Sequence, residues 1–137
     1  LVETIDKLMI VNKMNSTDFH SLIFINKNVS EMSYSRYIWF TDTTLFITIY
    51  NFHFQLICTI DSFNKTQILG YFLIPNEQEE TFTSIFEQVK LVLKYSPSII
   101  VVDRGITQQA ALSKVFTESR ILYCQLHIKR NIHKHLN

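Results

Sequence analysis

An α/β fold with a mixed sheet, in the element order βββαβαβα, is what this sequence of 137 residues predicts. Three observations carry the prediction. Three strand-like stretches succeed one another between Tyr37 and Ile74, and at Phe82 the hydrophobic period changes from two to about 3.6. SIIVVD, at 98–103, is a short unalternating apolar run, the pattern of a strand buried on both faces of a partly parallel sheet. Gly and Pro number only two each while hydrophobic residues make up 47%, which excludes disorder and Gly-rich scaffolds.

The first 14 residues place Leu1, Ile5, Leu8 and Met9 on one helical face and predict a helix; FHSLIFIN, at 19–26, predicts a short strand. Residues 1–36 thus lead into a core at 37–137. Tyr37 to Thr48, Phe52 to Ile60 and Gln67 to Ile74 are rich in β-branched and aromatic residues, and connections as short as DSFNK suit an antiparallel meander. Trp39, Phe40 and Phe46 are assigned to the core rather than to base stacking.

Phe82, Ile85, Phe86, Val89, Val92 and Leu93 recur at helical spacing, NEQEE sets acids at that helix's start, and Pro97 closes it. GITQQAALSKVF predicts a further helix, RILYC a strand and QLHIKRNIHKHL a last helix. Three meander strands followed by βα units must be joined through helical crossovers, and the simplest closed solution sets the first of them beside the fourth. Asp42, in the middle of YIWFTDTTLFITIY, and Asp103, at the end of SIIVVD, then become neighbours at the switch between antiparallel and parallel halves.

Two carboxylates at about 4 Å repel by roughly 4 kcal/mol at an effective dielectric near 20, and a divalent cation is the natural compensation. Oxygen-only ligands suit Mg²⁺ or Mn²⁺. The alternative for each aspartate alone is a turn former or a hydrogen-bonded structural residue.

A net charge of +1 gives no overall footprint for nucleic acid, so any DNA contact must come from a local patch, best sought in HIKRNIHKHLN. Lys129, Arg130, His133 and Lys134 there suit either phosphates or the negative end of a helix dipole. Cys124 and His127 invite a zinc reading, but 124, 127, 131 and 135 form one helical stripe that excludes His133, leaving zinc half coordinated. A core cysteine with a packed or solvated histidine is the other reading. Cys58 and Cys124 are too few for a disulfide framework, which favours a reducing compartment. No apolar run reaches the roughly 18 residues of a membrane span, and the N-terminus carries acids where a signal peptide carries bases. Without an initiator Met, the chain reads as a piece of something longer.

DTTLFITIY, YFLIPNEQEETFTSIFEQV, SIIVVDRGITQQAALSKVF and CQLHIKRNI resemble, in order and spacing, the core of the Mutator-like element (MULE) transposases, from about Tyr37 to the C-terminus. The resemblance implies a ribonuclease H-like fold with helices on both faces. It implies DDE-type chemistry, in which three acids hold two divalent ions, Mg²⁺ or Mn²⁺, for DNA nicking and strand transfer. Asp42 and Asp103 match the first two acids; the third is expected on a helix beyond the C-x-x-H segment, past Asn137. Glu77, Glu79, Glu80 and Glu118 fall at helix starts or in a loop and do not replace it.

The resemblance also implies that Cys124 and His127 handle DNA beside the metals, with Lys129 and Arg130 on phosphates. Implied partners are transposon terminal inverted repeats and target DNA, and a homodimer or higher oligomer of the full-length protein. No membrane partner is implied, and the implied location is nuclear. A domesticated, transposase-derived DNA-binding or regulatory protein without catalysis is the competing class. A ribonuclease H-like nuclease unrelated to transposition would need a further acid on the meander strands, and none is there.

Overall fold

The computed structural model describes residues 2–3, 7–12, 21–47, 52–103 and 105–123, with the backbone alone at 2–3, 7–12 and 42–47. Among them the strands are β1 (Val2–Glu3), β2 (Lys7–Asn12), β3 (Ser21–Asn26), β4 (Ile38–Ile47), β5 (Phe52–Ile60), β6 (Thr66–Ile74), β7 (Ile99–Val102) and β8 (Arg120–Tyr123). The helices are α1 (Lys27–Glu31), α2 (Glu79–Leu93) and α3 (Ile106–Val115), with a 3₁₀ turn at Ser33–Arg36. One sheet takes all eight strands in the order β1-β2-β3-β6-β5-β4-β7-β8. Pairings from β1 to β4 are antiparallel, and β7 and β8 add in parallel beyond β4. The mixed sheet is that of a ribonuclease H-like fold, with the first meander strand beside the fourth as expected.

The helix expected over the first 14 residues is not formed: β1 and β2 occupy that segment. The i, i+3, i+4 pattern is overridden because β3 offers an open strand edge, against which β2 pairs along its whole length from Lys7↔Asn26 to Asn12↔Ser21. Leu8, Met9, Ile10 and Val11 form a continuous apolar run that suits a strand as well as a helix. Gly70 makes the β3–β6 junction possible, since a Cβ there would stand 2.8 Å from the Phe24 carbonyl oxygen.

α2 begins after Asn76, whose Oδ1 accepts from Gln78 N and Thr81 Oγ1, and it carries Glu79 and Glu80 in its first turn. It ends at Leu93, where Lys94 takes a left-handed conformation (φ 63°) and donates its N–H to the Lys90 carbonyl, three residues before Pro97. α2 and α3 lie on one face of the sheet. Phe86 of α2 meets Phe72 of β6 edge-on at 6.2 Å, and Phe116, at the end of α3, bridges Phe86 and Trp39 of β4. Trp39 is fully buried and donates Nε1–H to the Ser35 carbonyl at 2.6 Å, while Phe40 is half-buried on the opposite parity. The expected last helix, which would supply the second face, lies outside the described residues, as does the side chain of Phe46. No helix among the described residues is long and apolar enough to cross a membrane.

Candidate functional site

β4 is where the sheet changes sense, antiparallel to β5 on one side and parallel to β7 on the other. Its register with β7 pairs Ile38 with Ile99, Trp39 with Ile100 and Phe40 with Val101. Continued two residues along both strands, that constant offset brings Asp42 level with Asp103. The Asp42 backbone lies in β4 opposite Leu56 of β5, and Asp103 follows the last residue of β7. Adjacent strands lie about 4.8 Å apart, so the two backbones are close enough for two carboxylates to share an ion. Just past Asp42 the ladder slips between Thr44 and Phe46, leaving Leu45 as an extra residue, the kind of bulge that re-aims a strand beside a site.

Asp103 is half-buried, and its Oδ1 accepts the Gly105 N–H at 3.2 Å. Among the described residues no lysine, arginine or histidine makes an ion pair with it. Gly105 starts α3, and a Cβ on it would sit 3.3 Å from Asp103 Oδ1, so a side chain there would crowd the carboxylate. α3 is pinned by Thr107 Oγ1, which donates to the Glu77 carbonyl at 2.8 Å, and by a Lys114–Glu79 ion pair. Glu77 also stands 3.8 Å from His53 Nδ1. Glu77 and Glu79 are thus held in the packing of α3 against the loop after β6. A carboxylate at a strand end, steadied by one backbone N–H and approached by no cation, fits an oxygen-ligand site for a hard divalent ion. Among the described residues no group of three His, Cys, Asp or Glu side chains gathers to hold a metal.

Beside this strand end, on the helix-covered face, sequence reading missed two buried polar groups. Thr41 Oγ1 and both amide atoms of Gln108 have no hydrogen-bond partner. Their signal in the sequence was faint: a threonine before Asp42 in a strand, and a glutamine at an α3 position that period 3.6 directs inward. The other expected site residues, Cys124, His127, Lys129 and Arg130, lie outside the described residues, as does the side chain of Asp42.

The family profile for the MULE transposase domain matches residues 38–131, from the start of β4 to beyond β8. No match was found among curated proteins.

Proposed function

This chain belongs to the MULE transposase family, and from that premise we propose that it carries the metal-dependent catalytic core that cuts and joins DNA strands at transposon ends. The observation that carries this reading is the parallel β4–β7 register, whose continuation sets Asp42 level with Asp103. On parallel neighbours the pleat sends same-level side chains to one face, so the two carboxylates converge. Asp42 and Asp103 would hold Mg²⁺ or Mn²⁺, with a third acid completing the set. Bound there, the ions would polarise a phosphodiester and activate a water or 3′-hydroxyl for attack. Gly105 N–H keeps one Asp103 oxygen oriented and leaves the other open toward the ion. Cys124, His127, Lys129 and Arg130 would meet DNA beside the acids, in a protein that works in the nucleus on terminal inverted repeats and target DNA, as a homodimer or higher oligomer.

Thermal melts of wild type, Asp42→Asn and Asp103→Asn test the pair without requiring turnover. About 10 mM Mn²⁺ against a dissociation constant of about 1 mM stabilises the native state by roughly 1.4 kcal/mol. For a chain of this size that is a rise of about 4 °C. Both variants should abolish the rise, and without metal each should be neutral or stabilised, because one of two facing charges is gone. A destabilised Asp42→Asn that still responds to Mn²⁺ would make Asp42 a structural residue and favour the non-catalytic reading.

A further inference from the structure

At the other end of β4 the molecule has a cavity of about 580 Å³. Ile25, Val92 and Leu93 contribute apolar walls, and Lys27, Arg36 and Lys94 bring three cations to it against one acid, Glu31. The whole chain has a net charge of only +1, so a local excess of two positive charges is a marked concentration. The C-terminal dipole of α2 offsets about half a charge of it.

Arg36 is held for recognition rather than for a salt bridge. Its guanidinium lies 4.3 Å from the centre of the Tyr95 ring. That ring is fixed by Tyr95 Oη, which hydrogen-bonds Ser35 Oγ at 2.7 Å and donates to the Ser30 carbonyl at 3.1 Å. Burial raises the Tyr95 phenol above its ordinary pKa, so it stays a neutral donor. The Arg36 backbone is anchored as well, its carbonyl accepting from Ser98 N at 3.0 Å. Among the described residues neither Arg36 nor Lys94 has a carboxylate in ion-pair reach, although Glu31 lines the same cavity. A stacked, pre-oriented guanidinium presents a planar fork of N–H donors that matches a phosphate. The volume falls within the range of ligand pockets and admits a nucleotide-sized group.

We propose that this pocket is a second nucleic-acid contact, in which Arg36 and Lys94 hold a backbone phosphate. The inference rests on the DNA-directed reading above and extends it to the opposite end of the sheet. Six residues of β4 separate Arg36 from Asp42, about 20 Å of strand, or about six base pairs of duplex. One DNA molecule can therefore touch both ends of the strand.

The test is fluorescence anisotropy of a labelled duplex of about 12 base pairs, twice that span, titrated with the protein at several salt concentrations. Arg36→Gln/Lys94→Asn is compared with wild type, with the control Lys65→Gln on the β5–β6 turn, and with Lys129→Gln/Arg130→Gln in the tail. Asparagine tolerates the left-handed backbone of residue 94, so the pocket variant keeps its fold, and its melting curve checks this. The pocket variant should lower the slope of log affinity on log salt by about 1.8, at 0.9 per phosphate contact, while Lys65→Gln leaves it unchanged. Binding with an unaltered slope in a folded pocket variant overturns the pocket and leaves the DNA-directed reading standing. No binding by the wild-type protein at low salt overturns both.

Discussion

The two faces of the sheet are built differently. Under α2 and α3, Ile23, Trp39, Phe72, Ile85, Phe86, Ile100 and Phe116 are no more than 1% exposed. On the opposite parity Leu22, Phe24, Phe40, Phe54, Leu56, Tyr71, Leu73, Ile99 and Val101 are only half-buried, and none of the described helices covers them. They compensate partly by contact within the sheet: Phe24 stacks on Tyr71 with ring centres 4.7 Å apart, and Phe54 meets the same ring at 5.5 Å. Asp103 continues the parity of Ile99 and Val101, so it belongs to the more accessible face. The difference teaches that the covered face holds the strands in register while the accessible face carries the acid. Strand positions set by a rigid core on one side are what a pair of carboxylates on the other side requires.

The largest expected effect separates the faces directly. Phe86→Ala removes a ring packed against Phe72, Phe82 and Phe116 and should cost about 3–5 kcal/mol in urea denaturation. Tyr71→Ala removes a half-buried ring and should cost about half as much or less. Equal losses would break the comparison, because the second face would then be as tightly covered as the first.

A smaller effect, of the opposite sign, sharpens it. Thr41 Oγ1 and the Gln108 amide are desolvated without partners on the covered face. Thr41→Val and Gln108→Leu should each stabilise the fold by about 1 kcal/mol, read from the urea midpoint. A loss of stability in either variant would mean that the polar atom is satisfied in solution, for instance by a buried water.

The smallest effect lies at the β5–β6 turn, away from both faces. Asp61 accepts backbone N–H bonds from Lys65 and Phe63 and a side-chain bond from Gln67, and these bonds, Lys65's first, lower its pKa below the ordinary 3.8. Its contribution is present above that value and is lost as pH falls through the lower, folded value. Urea unfolding at a series of acid pH values should therefore fall slightly more steeply for wild type than for Asp61→Asn, and parallel curves would refute the role of the turn.

Much of the architecture could be read in advance because its signals are local. β5 runs from Phe52 to Ile60 as the β-branched and aromatic run indicated, and the helical spacing from Phe82 to Leu93 sits within α2. α1 and the 3₁₀ turn were not legible. Each is about one turn long, and they are held by contacts from elsewhere, such as Ser35 Oγ to Tyr95 Oη sixty residues away. The N-terminal segment was misread because a short apolar run fits either period until an edge strand competes for it. Of the candidate site, Asp42 and Asp103 were found by chain order, whereas the Gly105 N–H on Asp103 was not, since that bond depends on where α3 begins.

By itself the sequence determined the order of elements, the family and the pair of acids, because residue type and period act over a few positions and the crossover rule leaves few ways to join them. Only the tertiary structure decided that β2 pairs with β3, that α2 and α3 share a face, that Asp42 and Asp103 stand at one level, and that Lys27, Arg36 and Lys94 line one cavity. Those facts join residues 14 to 67 positions apart, and register and packing, not local propensity, bring such residues together.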